Sequence, residues 1–146
     1  MATVDAYEFP ADRWYDSREH LWARPEPSAP DVDIVTVGVD ALGQELLGEV
    51  VYVQLVERGL AVRRGDAVGS LEAEKMVRPL LSPVSGAVVE VNDAVIAAPR
   101  LLNREPYDGG WLFRIRADRW VAERAELLHG HEAVAAWARA EIEANR

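Results

Sequence analysis

The sequence predicts a mainly β fold closed by C-terminal helices. Between residues 34 and 116, short β-branched runs recur at close spacing, separated by turns rich in Gly and Pro. That pattern argues for a small sandwich or barrel rather than a βαβ fold. Neither GxGxxG nor a P-loop is present, so the usual phosphate-cradling loops are missing. From residue 117 onward the apolar positions change to helical spacing. With 146 residues and 49% of them apolar, the chain has the size and the core of one domain. One domain over 1–146 is therefore expected, in three zones: an irregular segment over 1–33, a β core over 34–116 and a helical tail over 117–146.

Pro10, Pro25, Pro27 and Pro30 break up the first zone. Within it, Trp14-Tyr15 and Leu21-Trp22 are apolar enough to anchor it on a core. The run from Pro25 to Pro30 reads as a loop between two short strands. Ile34 to Val39 is β-branched and forms the next strand. Asp40 is placed to cap a short helix over Ala41 to Leu47, with Gly48 ending it. Glu49 to Val56 is a strand. Glu57-Arg58-Gly59 and Arg64-Gly65-Asp66 are turns. Two short strands follow, around Ala67 to Glu74 and Met76 to Leu81. Ser82 to Gly86 is a turn, Ala87 to Val91 a strand, and Trp111 to Ile115 alternates as another. In the tail, Trp120, Val121, Leu127 and Leu128 form one helical stripe. His129-Gly130-His131 breaks it, and Ala133, Val134, Trp137 and Ile142 form a second.

Composition removes several classes of function. There is no cysteine, which excludes disulfides, thiolate metal sites and cysteine nucleophiles. The net charge of −9 repels a phosphate backbone, so no nucleic acid is expected as a partner. Such a surface aids solubility, and it would steer a small shuttle toward basic patches on larger enzymes. No stretch approaches the roughly 18 apolar residues of a membrane-spanning helix, so no membrane is expected either. Met1 to Pro10 carries Asp5 and Glu8 but no basic residue, which makes a poor signal or transit peptide. A cytoplasmic location is expected. His129 and His131 stand two apart and cannot share one helix face, so no metal site is expected. No spacing of carboxylates singles out a catalytic pair, and no catalytic residue is assigned.

One residue stands out by scarcity. Of 16 basic side chains only Lys75 is a lysine. A lysine amine can be acylated to an amide, whereas a guanidinium stays protonated. Lys75 falls between two expected strands, at a hairpin tip where a tethered arm is free to swing.

The surrounding residues carry a resemblance. Glu72 lies three before Lys75, Ser82-Pro83 lie seven and eight after it, and Gly86 follows. This resembles the modified hairpin of lipoyl and biotinyl domains. Biotinyl domains carry Met on both sides of the lysine; Met76 fits that pattern and Glu74 does not. The rest of the chain points to lipoate. Tyr15 to Trp22 ends in His20-Leu21-Trp22. Leu47-Gly48-Glu49-Val50-Val51-Tyr52-Val53 follows, then Ser82 to Gly86 with Val91-Asn92. Leu102-Asn103, Pro106-Tyr107 and Gly109 to Leu112 complete the set. Over residues 14 to 140 these motifs resemble glycine cleavage H proteins.

The resemblance implies a lipoyl-domain-like β barrel-sandwich hybrid with the modified lysine on a hairpin turn. It implies covalent lipoic acid as N6-lipoyllysine at Lys75, with Glu72 read by the lipoyl ligase or transferase. It implies a non-catalytic carrier that shuttles an aminomethyl group and reducing equivalents. The implied partners are a pyridoxal-phosphate decarboxylase, a folate-dependent aminomethyltransferase and a dihydrolipoyl dehydrogenase. A cleft near the hairpin would shelter the loaded arm, with Glu19, His20 and Asp66 as candidate polar neighbours. One stretch departs from the family. Glu72-Ala73-Glu74-Lys75-Met76 stands where H proteins read Glu-Ser-Val-Lys-Ala, and Val77-Arg78-Pro79 follows. That stretch is similar to H-like lipoate-binding proteins serving a heterodisulfide-reductase-like sulfur-oxidation complex, which stays open as an alternative. A biotinyl carrier of a carboxylase is the more remote one.

Overall fold

The computed structural model describes residues 2–27 and 33–146. Eleven strands and five α-helices are assigned among them. β1 (Ala2–Val4) and β2 (Tyr7–Phe9) form a two-stranded hairpin. A six-stranded sheet runs in the order β3 (Trp14–Asp16), β4 (Leu21–Pro25), β5 (Ile34–Val39), β11 (Phe113–Ala117), β10 (Gly86–Val91) and β7 (Ala61–Val62). A three-stranded sheet holds β6 (Val50–Leu55), β8 (Ala67–Ala73) and β9 (Val77–Leu81). All the strand pairings are antiparallel. The fold is mainly β with C-terminal helices, as the short strands and close turns imply.

The first zone is not irregular. It contributes four strands, because its prolines sit where they block little. Pro10 follows β2, and Pro25 is the last residue of β4. Between β3 and β4 the Asp16 carboxylate accepts the backbone N–H groups of Arg18 and Glu19, closing a side-chain-supported turn. His20 completes that turn at φ 56°. The expected loop from Pro25 opens with Glu26 bonded to Ile34; its part at Ser28, Ala29 and Pro30 lies outside the described residues.

Helix α1 (Ala41–Leu47) forms where its caps place it. The Asp40 carboxylate accepts from the Gly43 N–H at 2.7 Å, and Gly48 ends the helix at φ 76°. Two further short helices, α2 (Asp93–Ala97), capped by the Asn92 side chain, and α3 (Leu101–Arg104), are not among the expected elements. At five and four residues they are too short to show a 3.6-residue period. The tail divides into two helical parts, α4 (Trp120–Glu123) with its 3₁₀ extension and α5 (His131–Ala144), but the first ends at Glu126: Leu127 is extended and Leu128 bridges Tyr15, so neither belongs to the expected helical stripe, and Gly130 at φ 95° leads into α5. The stripes differ in detail. Val121 is 68% exposed, and α5 buries Val134, Ala135 and Ala138 rather than Ala133.

Two apolar clusters hold these layers together. The larger fills the space between the six- and three-stranded sheets with Val35, Val37, Val53, Leu71, Leu80, Val88, Phe113 and Ile115. The smaller packs the N-terminal hairpin and α5 over Tyr15, Trp22 and Leu42. Burial of this kind is the main favourable term in folding.

Candidate functional site

The β8–β9 hairpin carries Lys75 at its tip. Glu72 pairs with Val77 across the two strands, and the Ala73 N–H closes the turn on the Met76 carbonyl at 2.9 Å. A four-residue turn over 73–76 thus presents Lys75 to solvent. The tip is nonetheless held at its backbone. The Glu74 N–H donates to the Glu49 carbonyl at 3.0 Å, and the Lys75 N–H to the Leu47 carbonyl at 3.2 Å. The Lys75 side chain lies back toward α1, its Nζ 3.3 Å from the Glu45 carbonyl. That single long contact is at an exposed position and weak, so the amine leaves it readily.

The segment that holds the tip is itself clasped by Asn103 on α3. Asn103 Oδ1 accepts from the Val50 N–H at 2.8 Å, while Nδ2 donates to the Gly48 carbonyl at 2.8 Å and to Gln44 Oε1 at 3.1 Å. Gly48 also lies under the tip, since a Cβ there would sit 2.5 Å from Glu74 Oε1. A positive φ and that close approach together call for glycine. Beside these residues is a cleft of about 340 Å³ bordered by Lys75, Glu74, Glu45, Arg100, Asn103 and Arg104.

Glu72 is exposed on β8 and belongs to no ion pair among the described residues. None of the other three candidates lines the cleft at Lys75. Glu19 borders a second cleft of about 480 Å³, with Arg64, Leu81 and Ser82. Asp66 closes its own turn by accepting the Arg63 N–H at 2.8 Å. His20 is buried under the β9 side of the hairpin, its Nδ1 3.9 Å from Asp40 and its Nε2 3.8 Å from Glu141. Burial lowers the His20 pKa, against the pull of Glu141. Burial likewise pushes the Asp40 carboxyl up to about 7, against the Gly43 and Leu42 N–H groups and Arg78. Arg78, from β9, reaches this cluster and donates to the Glu19 carbonyl at 2.6 Å.

Sequence reasoning passes over Asn103, Asp40 and Arg78 as groups that bear on the hairpin. Only Asn103 stands within a motif of the family pattern, and nothing in its spacing points back to residues 44–50. Among the described residues no cluster of His, Asp and Glu suits a metal ion.

Comparison with known proteins gives the family and the fold. The Glycine cleavage H-protein family model matches residues 14–140. The chain belongs to the glycine cleavage H-protein family. An H protein of Thermus thermophilus is 42% identical over 121 residues, covering 83% of this chain and 89% of that one. The H protein of an Escherichia coli O7:K1 strain is 45% identical over 108 residues, covering 74% and 80%. The crystal structure of the H protein from Mycobacterium marinum superposes with a TM-score of 0.72 at 32% identity, covering 91% of this chain and 98% of that one. Glycine cleavage H proteins are carrier subunits, so the chain is a carrier and not an enzyme. Lipoate belongs to the family in general. No helix among the described residues is long and apolar enough to cross a membrane.

Proposed function

We propose that this chain carries a lipoyl group as an amide on Lys75 Nζ and presents it in turn to the enzymes of glycine cleavage. The observation that supports the reading best is the tip itself. The only lysine of the chain sits exposed on a four-residue turn whose backbone is fixed and whose amine is nearly free. A fixed base gives the modifying enzyme a defined target, and a free side chain gives the tether its range. The group fits these residues: the amine is at the surface, and the adjoining cleft can take part of a tether. When bound, it supplies a small-ring disulfide that exchanges readily and can take up a substrate-derived fragment with two electrons.

The chain's own residues supply placement. Leu47 and Glu49 carbonyls hold the turn, Asn103 holds the segment that bears those carbonyls, and α1 and β6 carry Asn103's partners. Tethering then replaces free diffusion by a high effective concentration at each partner site. Those partners are a pyridoxal-phosphate decarboxylase, a folate-dependent aminomethyltransferase and a dihydrolipoyl dehydrogenase, together with the ligase or transferase that reads Glu72. The curated relatives, named as glycine cleavage H proteins, favour this set over a sulfur-oxidation complex.

Intact mass and peptide mapping of protein made in a lipoylating host test the reading. The expected result is a lipoyl adduct confined to Lys75 and lost in Lys75→Arg. A biotin adduct, or an unmodified chain in that host, would refute it.

A further inference from the structure

Under the β9 side of the hairpin, four elements meet around His20. His20 itself ends the β3–β4 turn, Asp40 caps α1, Arg78 comes from β9, and Trp137 and Glu141 come from α5. The contact with α1 is close. The Asp40 N–H donates to the His20 carbonyl at 2.9 Å, and a Cβ on Gly43 would lie 2.7 Å from His20 Cβ. On its other side the imidazole packs on Trp137, with ring centroids 5.4 Å apart. Its Nδ1 stands 3.9 Å from Asp40 Oδ1 and its Nε2 3.8 Å from Glu141 Oε2. The ring therefore lies between two carboxylates. A neutral imidazole has one N–H and can serve only one of them. One further proton serves both, whether it sits on the ring or on the Asp40 carboxyl.

Burial and charge favour that proton. Asp16, Glu19, Asp40 and Glu141 face a single guanidinium, that of Arg78. Tyr15 and Tyr107 also face Asp40, but burial keeps both hydroxyls protonated, and they donate to the Pro10 and Glu8 carbonyls. Asp40 is fully buried. Its Oδ1 accepts the Gly43 N–H, while Oδ2, His20 Nδ1 and Arg78 Nε are buried with no hydrogen-bond partner among the described residues. Three such atoms in one cluster are unusual in a native fold. A shift of about 1 Å brings Asp40 and His20 within hydrogen-bond distance.

We infer that Asp40 and His20 hold one proton between them, that this proton joins α1 to α5 through Glu141, and that Arg78 couples the joint to the lysine-bearing hairpin. With the proton in place, Nδ1 and Asp40 share it and Nε2–H donates to Glu141. The proton comes from solvent and no other bond changes. Without it, one of the two carboxylates faces a bare ring nitrogen, and the α1–α5 joint opens on that side. Arg78, in the strand that follows Lys75, favours the charged carboxylate and so opposes uptake. Burial pushes the Asp40 carboxyl up to about 7 and works against an imidazolium at His20. The two groups therefore titrate as one unit. The folded chain keeps a proton that the unfolded chain releases, so the joint is tight below neutral pH and loosens above it.

The test is a pH titration of the full chain, labelled at aspartate and histidine, by carbon NMR from about pH 5 to about pH 9. The Asp40 carboxyl and the His20 ring are expected to change together at one midpoint near neutral pH. Across it, hydrogen-exchange protection of the α5 amides from Trp137 to Ile142 should fall about fivefold or more relative to Leu71 and Phe113 in the core. Asp40→Asn keeps the acceptor for the Gly43 N–H and should abolish both the step and the fall; Asp40→Ser, also a capping residue, replaces it if the asparagine variant fails to fold. Glu141→Gln should keep the step and lose the fall. Arg78→Met should raise the midpoint. Separate midpoints, about 4 for Asp40 and about 6.5 for His20, would overturn the inference. So would α5 protection that does not change with pH, or that changes equally in Asp40→Asn. An unmoved midpoint in Arg78→Met would overturn the link to the hairpin.

Discussion

Replacing Asn103 by alanine should destabilise the protein and loosen the hairpin tip that Asn103 never touches. The side chain makes three short hydrogen bonds, to the Val50 N–H, the Gly48 carbonyl and Gln44 Oε1, and a fourth, long one to the Gln44 carbonyl at 3.5 Å. Val50 is fully buried, so its amide gains no water when the acceptor goes. A stranded buried donor costs about 1–3 kcal/mol, and an ordinary hydrogen bond about 1 kcal/mol net. The Gly48 carbonyl and Gln44 are less buried and lose less. The expected loss is about 2–3 kcal/mol. For a chain of this length that corresponds to a fall in Tm of roughly 5–10 °C. Urea denaturation at unchanged m gives the stability. Amide hydrogen exchange at Glu74 and Lys75 gives the local effect, because their acceptors, the Glu49 and Leu47 carbonyls, flank the clasped residue Gly48. Faster exchange at both amides is expected. A loss below about 0.5 kcal/mol would refute the energetic argument. A full loss with unchanged exchange at the two amides would refute the coupling of clasp to tip.

Two other perturbations follow from single contacts. Asp40→Asn keeps the acceptor for the Gly43 N–H and removes a buried charge whose pKa stands at about 7 instead of near 4. Between those values the folded wild type holds a proton that the unfolded chain has lost, so wild-type stability falls as pH rises toward 7. The buried His20, whose pKa is lowered, acts in the opposite sense below about 6.5. The variant should therefore gain about 2 kcal/mol relative to wild type between pH 5 and pH 8, read by urea midpoints across that range; a pH-independent difference would contradict the assignment. Gly86→Ala places a Cβ 2.0 Å from the Arg116 carbonyl, inside the β10–β11 ladder. It should cost more than about 3 kcal/mol and depress the yield of folded protein, as judged by near-ultraviolet circular dichroism.

Much of this fold was legible because its signals are local. Asp40 and Gly48 bracket α1, and the break at Gly130 separates α4 from α5; each depends on a side chain or φ angle at the element's own end. The strands of the N-terminal zone were hidden because three of them are only three residues long, too short to show alternation, and β3 and β4 reach the rest of their sheet through a single strand pairing across the proline-rich run. β4 pairs with β5 across the proline-rich run, and Trp22 Nε1 reaches the Pro106 carbonyl at 2.9 Å, 84 residues away. Lys75 was legible as a candidate because it is the only lysine, a property of composition. The clasp around it was not, since Asn103 meets Gly48 and Val50 only once the sheets have packed. Other residues of the family pattern also serve as clasps. Tyr107 accepts the Ala41 N–H and donates to the Glu8 carbonyl, and the Asn92 amide donates to Gly109 and Trp111. The family pattern thus records the scaffold more fully than the chemistry.

The departures around Lys75 gain a physical meaning in the fold. Glu74 accepts the Glu49 N–H and sits over Gly48, so it ties the tip to the α1–β6 junction. Arg78 spans from β9 to the β3–β4 turn through the Glu19 carbonyl and sets a cation near Asp40 and Asp16. Pro79, on an edge strand, has no N–H to offer a neighbouring chain, which protects that edge from pairing. Glu74 and Arg78 act on how the hairpin is held, Pro79 guards its free edge, and none of the three engages the lysine amine. Met76 and Val77 are different. They face solvent and do no packing that their burial would require. A side chain that packs little within the chain and lies beside the proposed acylation site is best explained by what lands on it. The unusual residues therefore divide into two that brace the hairpin from within, one that guards its edge and two that a partner would meet.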